Sequence, residues 1–388
     1  MEYTFLATTP FGLEAVVARE LEELGYRDRV VENGRVYFKA DALGALRCNL
    51  WLRTADRVMW VVGQFEAHTF DALFEGTKAL PWADWLPRKA RFPIEGRSIK
   101  SQLSSVPACQ SIVKKAIATK LAQTYRESWL EETGPLFSIE VSLLKDLVTL
   151  AIDTSGQGLH KRGYRVHTGP APIKETLAAA LVLLSRWRPH RPFADPMCGT
   201  GTIAIEAAWI GAGIAPGLLR SFSMESFGWL AADSIREVRE AAEASRNHSP
   251  DFQITAHDID AEAIAQTTQH ARLAGVSEYL SIAQQPLRNF SPTEPYGCLI
   301  SNPPYGERMG EDREVRLLYR QLGEVMKHHT TWSTFIFTSH PDFERLFGKR
   351  SEKNRKLYNG RIECHFYQYL GPLPPRLKME SPPENHLM

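Results

Sequence analysis

The hydrophobic and polar positions of the first half of the chain alternate between strand-like and helix-like periods. A strand-like run at residues 3–9 is followed by a helical run whose apolar side chains recur on one face: Leu13, Val17, Leu21 and Leu24. Asn33-Gly34 lies between two alternating runs, a strong hairpin signal. The same kind of pattern starts again near residue 70, and Lys145-Asp146 joins its last two strands. We therefore predict two α+β units, over residues 1–60 and 61–157.

From residue 158 onward, strand-like and helix-like runs alternate, which is the pattern of a mostly parallel sheet. We predict strands at 192–196, 252–259, 279–285, 296–302 and 333–340, with helices between them. Asn359-Gly360 then separates two further strand-like runs, so the sheet should close with an antiparallel hairpin. These patterns predict an α/β domain at 158–375 with a seven-stranded mixed sheet, entered through a basic, glycine- and proline-rich linker with a helix and followed by a tail at 376–388.

Composition limits the classes of function. The chain has 388 residues and a net charge of +1, so any contact with nucleic acid must come from local basic patches. The 5 cysteines have no paired spacing, which argues against a disulfide framework and against a zinc site. We see no signal peptide and no apolar run of the roughly 18 residues that a membrane span needs. We expect a soluble, cytoplasmic protein without a metal.

The first candidate site is PFADPMCGTGTIAIEAA at residues 192–208, a strand, a glycine-rich turn and a helix. Ligands bind at the carboxyl ends of strands in open parallel sheets. Gly199 and Gly201 would let the backbone approach a ligand, and the helix N-terminus offers free N–H groups. The third glycine of the dinucleotide fingerprint is missing, and Asp195-Pro196 places a carboxylate where a pyrophosphate fits badly. A positively charged ligand, such as the amino group or sulfonium of S-adenosylmethionine, suits Asp195 better.

The second candidate site is ITAHDIDAEAI at residues 254–264, at the end of the next predicted strand. Asp258 is positioned to hydrogen-bond both ribose hydroxyls of a nucleoside cofactor. Ile259 would pack on the adenine face, whereas Asp260 is expected to be a helix N-cap. The following strand ends in Gln284-Gln285-Pro286, whose amides could accept and donate at the adenine edge.

The third candidate site is ISNPPYGER at residues 300–308. Two adjacent prolines cannot donate to a sheet, and each restricts the residue before it, so the strand must end in a stiff turn. The side-chain oxygen of Asn302 and the carbonyl of Pro303 could both accept from one exocyclic NH₂ and aim its lone pair at a sulfonium methyl. Tyr305 would stack on the base, which contributes ~1–3 kcal/mol. The predicted catalytic residues are Asn302, Pro303, Pro304 and Tyr305.

Basic residues concentrate ahead of the third site, around one predicted strand and helix and in the linker. Contacts to phosphates need only such a local patch. The residues that we predict to bind RNA are Arg97, Lys100, Lys114, Lys115, Lys161, Arg162 and Arg165.

Four stretches together resemble the bacterial 23S ribosomal RNA guanine-N2 methyltransferases of the RlmL type: DTSGQGLHKRGYR (153–165), APIKETLAAA (171–180), DPMCGTGTI (195–203) and SNPPYGER (301–308). The resemblance covers nearly the whole chain. It implies a ferredoxin-like unit, a THUMP RNA-binding domain and a Rossmann-like class I methyltransferase domain. It also implies S-adenosyl-L-methionine as cofactor and large-subunit ribosomal RNA, or its precursor, as partner.

Carried over residue by residue, the resemblance assigns cofactor binding to Asp195, Gly199, Gly201 and Asp258, and amine binding to Asn302, Pro303, Pro304 and Tyr305. It assigns Lys174-Glu175-Thr176 to the helix that enters the cofactor pocket. The chain departs from the family at Gln284-Gln285-Pro286, where an aspartate usually lies near the adenine amine; Gln285 can still accept that hydrogen bond. The family's best-known member has a second methyltransferase half, so only the first activity is carried over.

Four functions remain open on the residues alone. The main one is N2-methylation of a guanosine in 23S ribosomal RNA, and the nearest alternative is N6-methylation of adenine in DNA or RNA, because Asn-Pro-Pro-Tyr serves any exocyclic amine. The basic α+β front half favours RNA, since enzymes that modify bases in DNA need a partner domain for base flipping, and we see none in the sequence. The third is an RNA-binding ribosome-assembly factor without activity. A nicotinamide oxidoreductase is the weakest alternative, because the third glycine is missing.

Overall fold

The computed structural model describes residues 2–166, 173–247, 251–306 and 312–375. The helices of the N-terminal half are α1 (Glu14–Glu23), α2 (Ala42–Trp51), α3 (Phe70–Ala79) and α4 (Val106–Tyr125). Its strands are β1 (Tyr3–Thr8), β2 (Arg29–Glu32), β3 (Arg35–Ala40), β4 (Arg57–Glu66), β5 (Ile94–Ile99), β6 (Ile139–Leu144) and β7 (Leu147–Asp153). The strand at residues 3–9, the helix that follows it and the two predicted hairpins are confirmed. Both residues of the turn between β6 and β7, Lys145 and Asp146, have the positive φ of a tight hairpin.

One strand joins the two predicted N-terminal units. β4 pairs with β1, where Trp60 lies opposite Phe5, and with β7, where Trp60 lies opposite Ile152. The seven described strands form one sheet in the order β2-β3-β1-β4-β7-β6-β5. The boundary placed between residues 60 and 61 falls inside β4, so the two units share a sheet.

The C-terminal half contains the helices α5 (Glu175–Leu184), α6 (Thr202–Gly211), α7 (Ala232–Ala244), α8 (Ala261–Leu273), α9 (Asp312–Lys327) and α10 (Phe343–Phe347). Its strands are β8 (Phe193–Asp195), β9 (Ile254–Asp258), β10 (Leu280–Gln284), β11 (Cys298–Ser301), β12 (Ser333–Thr338), β13 (Lys353–Asn359) and β14 (Ile362–Tyr369). The described strands lie in the order β10-β9-β8-β11-β12-β14-β13. The first five strands pair in parallel, and β14 pairs antiparallel with both β12 and β13, which confirms the seven-stranded mixed sheet.

The closing hairpin differs by one residue from its prediction. Asn359 is the last residue of β13 and pairs with Ile362, so the two loop residues are Gly360 and Arg361. Only Gly360 has a positive φ, of 63°, as a type II′ turn requires. The turn therefore explains the glycine but does not require an asparagine at position 359.

The segment that we interpreted as a linker is packed into the protein. Leu159, Arg162 and Tyr164 are buried. Arg162 Nη2 donates a hydrogen bond to the Arg53 carbonyl at 2.6 Å, which ties the segment to the N-terminal half. The segment connects the two halves as predicted but is packed rather than exposed over these residues, because composition records glycines and charges but not the partners that bury them. The predicted tail at 376–388 lies outside the described residues.

A segment of the C-terminal half also completes the core of the N-terminal half. Trp229 lies 4.6 Å from Trp60, measured between ring centroids, and its Nε1 donates to the Trp85 carbonyl at 3.1 Å. Phe222, Met224 and Phe227 belong to the same buried cluster. The two halves are therefore fixed to each other by apolar packing. No described helix is long and apolar enough to cross a membrane.

Candidate active site

A cavity of about 580 Å³ opens where β8, β9 and β11 end. The carboxyl ends of the parallel strands meet at this edge of the sheet, which is where such folds bind ligands. The predicted site residues on its wall are Asp195, Pro196, Gly199, Asp258, Ile259, Asn302, Pro303, Pro304 and Tyr305. The structure thus brings three separate sequence motifs into one cavity.

The glycine-rich turn is held by β9 and α8. The Gly199 N–H donates to Asp258 Oδ2 at 2.8 Å, and Thr267 Oγ1 donates to the Gly199 carbonyl at 2.8 Å. Gly199 and Gly201 have φ values of 52° and 80°, which glycine adopts without strain. Gly199 lines the cavity, whereas a Cβ on Gly201 would lie 2.6 Å from the Thr267 methyl group. Gly201 therefore packs the turn against α8, and it is absent from the described lining of the cavity.

Asp195 is the most buried acidic group of the cavity wall, at 1% exposure. One oxygen accepts from Ser301 Oγ at 2.6 Å and from the Met197 N–H at 3.3 Å. Burial raises the pKa of Asp195 to about 7, the nearby Asp258 adds to the effect, and no described cationic side chain opposes it. A buried carboxylate without a cationic partner among the described residues fits a ligand that supplies positive charge.

Asp258 and its neighbours lie at the end of β9. Asp258 Oδ1 accepts from the Asp260 N–H at 3.0 Å, which leaves further lone pairs on both carboxylate oxygens for a ligand. Ile259 lines the cavity although 68% of its surface is exposed. Asp260 accepts from the Glu262 N–H at 2.9 Å, which confirms its prediction as the N-cap of α8.

The Asn302–Tyr305 turn is braced by side chains. The Tyr319 hydroxyl, on α9, donates to the Pro304 carbonyl at 2.7 Å and lies 2.8 Å from Thr338 Oγ1. The Tyr305 hydroxyl donates to Asn302 Oδ1, the atom that we predicted to accept from an amine. Burial raises the pKa of Tyr305, and a hydrogen bond with Asn359 opposes this rise. The phenol is thus the present partner of the asparagine acceptor.

Gln285 does not reach this cavity. Its Nε2 donates to the Asn289 carbonyl at 3.0 Å, and the residue lines a second, polar cleft on another part of the sheet. The role that we predicted for its side chain at the adenine edge is therefore wrong in this structure. The next three residues, Pro286, Leu287 and Arg288, line the cavity instead.

Several residues of the cavity wall were missed by the sequence analysis. Leu318 and Gln321 come from α9, and Asn359 and Ile362 come from the hairpin of β13 and β14. Ile173, just before α5, also lines the cavity, whereas residues 174–176 at the start of α5 are not part of its described lining. The spacing of α9 shows which face is apolar, but not that the edge of that face reaches a ligand site.

Two of the predicted RNA-binding residues are turned into the protein. Arg162 is 1% exposed and pairs with Glu206 on α6 at 3.2 Å. Arg165 is 10% exposed, pairs with Glu175 at 3.3 Å and donates to the Ile173 carbonyl at 3.2 Å. The RNA-binding prediction is wrong for both guanidinium groups. Their donors are bonded to buried acceptors, and too little of either group is exposed to contact a phosphate. Arg165 instead supports the cavity wall at Ile173.

The other basic residues lie at or near the surface. Arg97 pairs with Glu140 at 2.8 Å, and Lys114 pairs with Glu132 at 2.6 Å while covering the Phe92 ring. Lys100, Lys115 and Lys161 are exposed, and none of the described salt bridges includes them. These three are the best-placed candidates for contacts with phosphate.

Three family models match consecutive parts of the chain. The RlmL ferredoxin-like domain matches residues 4–59, the THUMP domain 67–153, and the RMKL-like methyltransferase domain 162–368. The putative RNA methyltransferase YpsC of Bacillus subtilis is 47% identical over 97% of this chain and 98% of its own. The ribosomal RNA large subunit methyltransferase K/L of Syntrophotalea carbinolica is 33% identical over 94% of this chain but only 53% of its own, so this chain spans about half of that relative.

Solved structures agree with this grouping. A protein described as a predicted N6-adenine-specific DNA methylase from Listeria monocytogenes is 51% identical, with a TM-score of 0.92 over 96% of this chain and 97% of its own. SMU.472, a putative methyltransferase complexed with SAH, is 44% identical, with a TM-score of 0.90 over 97% of this chain and 99% of its own. Together with the model that matches residues 162–368, these relatives show that the chain belongs to the RMKL-like methyltransferases, with an RlmL-type ferredoxin-like domain and a THUMP domain before the methyltransferase domain.

Proposed function

We propose that this methyltransferase transfers a methyl group from S-adenosyl-L-methionine to the exocyclic N2 amine of a guanosine in 23S ribosomal RNA. The observation that carries the proposal is the meeting of two kinds of group in one cavity. Buried and half-buried carboxylates suited to a cationic nucleoside lie beside an asparagine and a proline carbonyl suited to an amine. The relative of known structure that was crystallised with SAH supports the choice of cofactor.

On the cofactor side, Asp195 would hold the positively charged amino group, because its buried carboxylate gains most from a cation. Asp258 would accept from the ribose hydroxyls, and the exposed Ile259 would cover one face of the adenine. The bound cofactor supplies an activated methyl group on a sulfonium, so the protein needs no covalent nucleophile. Burial raises the pKa of the Cys198 thiol, which fits a structural role in the turn.

On the substrate side, Asn302 Oδ1 and the Pro303 carbonyl would accept the two N–H groups of the amine. These bonds direct the nitrogen lone pair toward the methyl group, and they strengthen as the nitrogen becomes positive in the transition state. The Tyr305 ring would stack on the base once its hydroxyl has left Asn302. The bracing of Pro304 by Tyr319 keeps the turn in place during this exchange.

RNA as the substrate rests on the THUMP domain, on the names of the relatives and on the exposed lysines Lys100, Lys115 and Lys161. The proposal that the substrate belongs to the large ribosomal subunit rests on the name of the Syntrophotalea carbinolica relative. The second candidate, N6-methylation of adenine in DNA, is favoured by the description of the Listeria monocytogenes structure. Asn302 serves either amine, so an experiment must separate them.

The test is a methylation assay with radiolabelled S-adenosylmethionine. Ribosomal RNA from a strain that lacks the protein, its ribosomal precursor particles and its genomic DNA would each be substrates. The products would be digested to nucleosides and identified by mass. Label in N2-methylguanosine from 23S ribosomal RNA supports the proposal, whereas label in N6-methyladenine refutes it.

A further inference from the structure

Helix α9 presents two side chains to the cavity, Leu318 and Gln321, which are one helical turn apart. The neighbouring face of α9 is buried through Val315, Tyr319 and Leu322. Tyr319 also donates to the Pro304 carbonyl at 2.7 Å. The helix that carries Gln321 is thus fixed directly to the turn that carries Asn302, so the backbones at these two positions are held against each other on the cavity wall.

Gln321 is a polar residue of the cavity wall that has no hydrogen-bond partner among the described residues. The side chain is half-buried on the cavity wall, yet it takes part in none of the hydrogen bonds found in the described part of the chain. The hairpin brings a second carboxamide to the cavity, that of Asn359, which lowers the pKa of the Tyr305 hydroxyl. A half-buried carboxamide with unused donors and an unused acceptor is what a cavity offers to a planar polar ligand.

The chemistry of the two possible bases decides what such a group would do. In guanine the N2 amine is flanked by the N1–H donor, whereas in adenine the N6 amine is flanked by the N1 acceptor. We propose that Gln321 Oε1 accepts a hydrogen bond from guanine N1–H while Asn302 holds the N2 amine, so that Gln321 selects the base. This inference rests on the proposed function. A site that hydrogen-bonds a substrate group discriminates strongly against an analogue without that group, because its own polar atoms are then left unpaired.

Two substitutions separate the acceptor from the rest of the side chain. Gln321→Glu keeps an acceptor and loses the amide donor, whereas Gln321→Met keeps the length and the apolar stem and loses both. We expect Gln321→Met to lower kcat/KM for ribosomal RNA by about 10- to 100-fold, and Gln321→Glu to stay within about fivefold of the native enzyme. Glu324→Met is the matched control, because Glu324 lies on the same helix with 69% of its side chain exposed and should retain native activity.

The assays would use the full chain, with cofactor affinity and unfolding temperature measured for every variant. A specificity role predicts that neither quantity changes while kcat/KM falls in Gln321→Met alone. Native kcat/KM in Gln321→Met, or an equal loss in Gln321→Glu, would overturn the inference and leave the proposed function standing if the product is N2-methylguanosine. An N6-methyladenine product from the native enzyme would instead overturn the proposed function, and a greater loss in Gln321→Glu than in Gln321→Met would accompany it.

Discussion

The two sides of the cavity are held in different ways. On the cofactor side, backbone N–H groups of Gly199 and Asp260 donate to Asp258, and Asp195 accepts from the Met197 N–H and from the fully buried Ser301 hydroxyl. On the amine side, the contact at the reactive position joins two side chains, the Tyr305 hydroxyl and Asn302 Oδ1. Strands and helices fix the backbone, whereas a side chain can change rotamer. The cofactor side is therefore preorganised, and the amine side has an acceptor that exchanges partners.

This difference has a consequence for the order of binding. The carboxylates of the cofactor side need no rearrangement, so we expect S-adenosylmethionine to bind in the absence of RNA. The base, in contrast, must displace the Tyr305 hydroxyl from Asn302, at a cost of about 1 kcal/mol for the lost hydrogen bond. Stacking of the released ring on the base would offset that cost. Substitutions on the two sides should therefore separate cofactor affinity from turnover.

The largest effect should come from Asn302→Ala, which removes the exchangeable acceptor. We expect kcat to fall on the order of 100- to 1,000-fold, because a contact that strengthens only in the transition state is lost. The dissociation constant of S-adenosylmethionine should stay within about twofold, since the cofactor side is held by other groups. Single-turnover kinetics and calorimetric titration measure the two quantities.

Asn354→Ala is the control for this substitution, because Asn354 lies on β13 with its side chain exposed beside His365 and away from the cavity. It should leave both quantities at their native values. An Asn302→Ala enzyme that turns over at the native rate would show that the amine is held elsewhere and that the mechanism is wrong.

A second pair of substitutions tests how rigidly the cofactor side is built. Gly201→Ala should lower the free energy of unfolding by about 2–4 kcal/mol, because φ is +80° and the new Cβ would lie 2.6 Å from the Thr267 methyl group. Gly199→Ala has φ of +52° and no atom within 4 Å of the Cβ, so we expect a loss of only about 1 kcal/mol. Urea denaturation measures both. Equal losses would mean that α8 does not hold the turn.

The difference between backbone-held and side-chain-held groups also explains which features could be predicted from the sequence. Periodicity and turn chemistry predicted the helices, the strands and the mixed sheet, because these signals are local. Asp195, Asp258 and Asn302 could be placed in one cavity because all three follow strand ends of a parallel sheet. The residue type at each strand end was therefore enough to place the two carboxylates of the cofactor side and the asparagine of the amine side.

The predictions that were wrong concern side chains whose orientation depends on partners far away in the sequence. Arg162 and Arg165 are basic in a basic segment, but Glu206 and Glu175 draw them inward. Gln285 follows a strand end, but its amide bonds to the Asn289 carbonyl instead of facing the cavity. Nothing in the sequence indicated that Gln321 and Asn359 line the cavity, because the sequence pattern of a helix edge or a hairpin is the same with or without a cavity beside it.

The last prediction is a pH dependence of cofactor binding that only the cofactor side should show. Burial raises the pKa of Asp195 to about 7, so the carboxyl is protonated below pH 7 and cannot pair with the amino group of the cofactor. Affinity should therefore fall about fivefold from pH 7 to pH 6 and about tenfold more from pH 6 to pH 5. Titration of S-adenosylmethionine into the native protein and into Asp195→Asn measures this. The variant should bind weakly with little change over this range, and an equally steep fall in the variant would assign the titrating group to another residue.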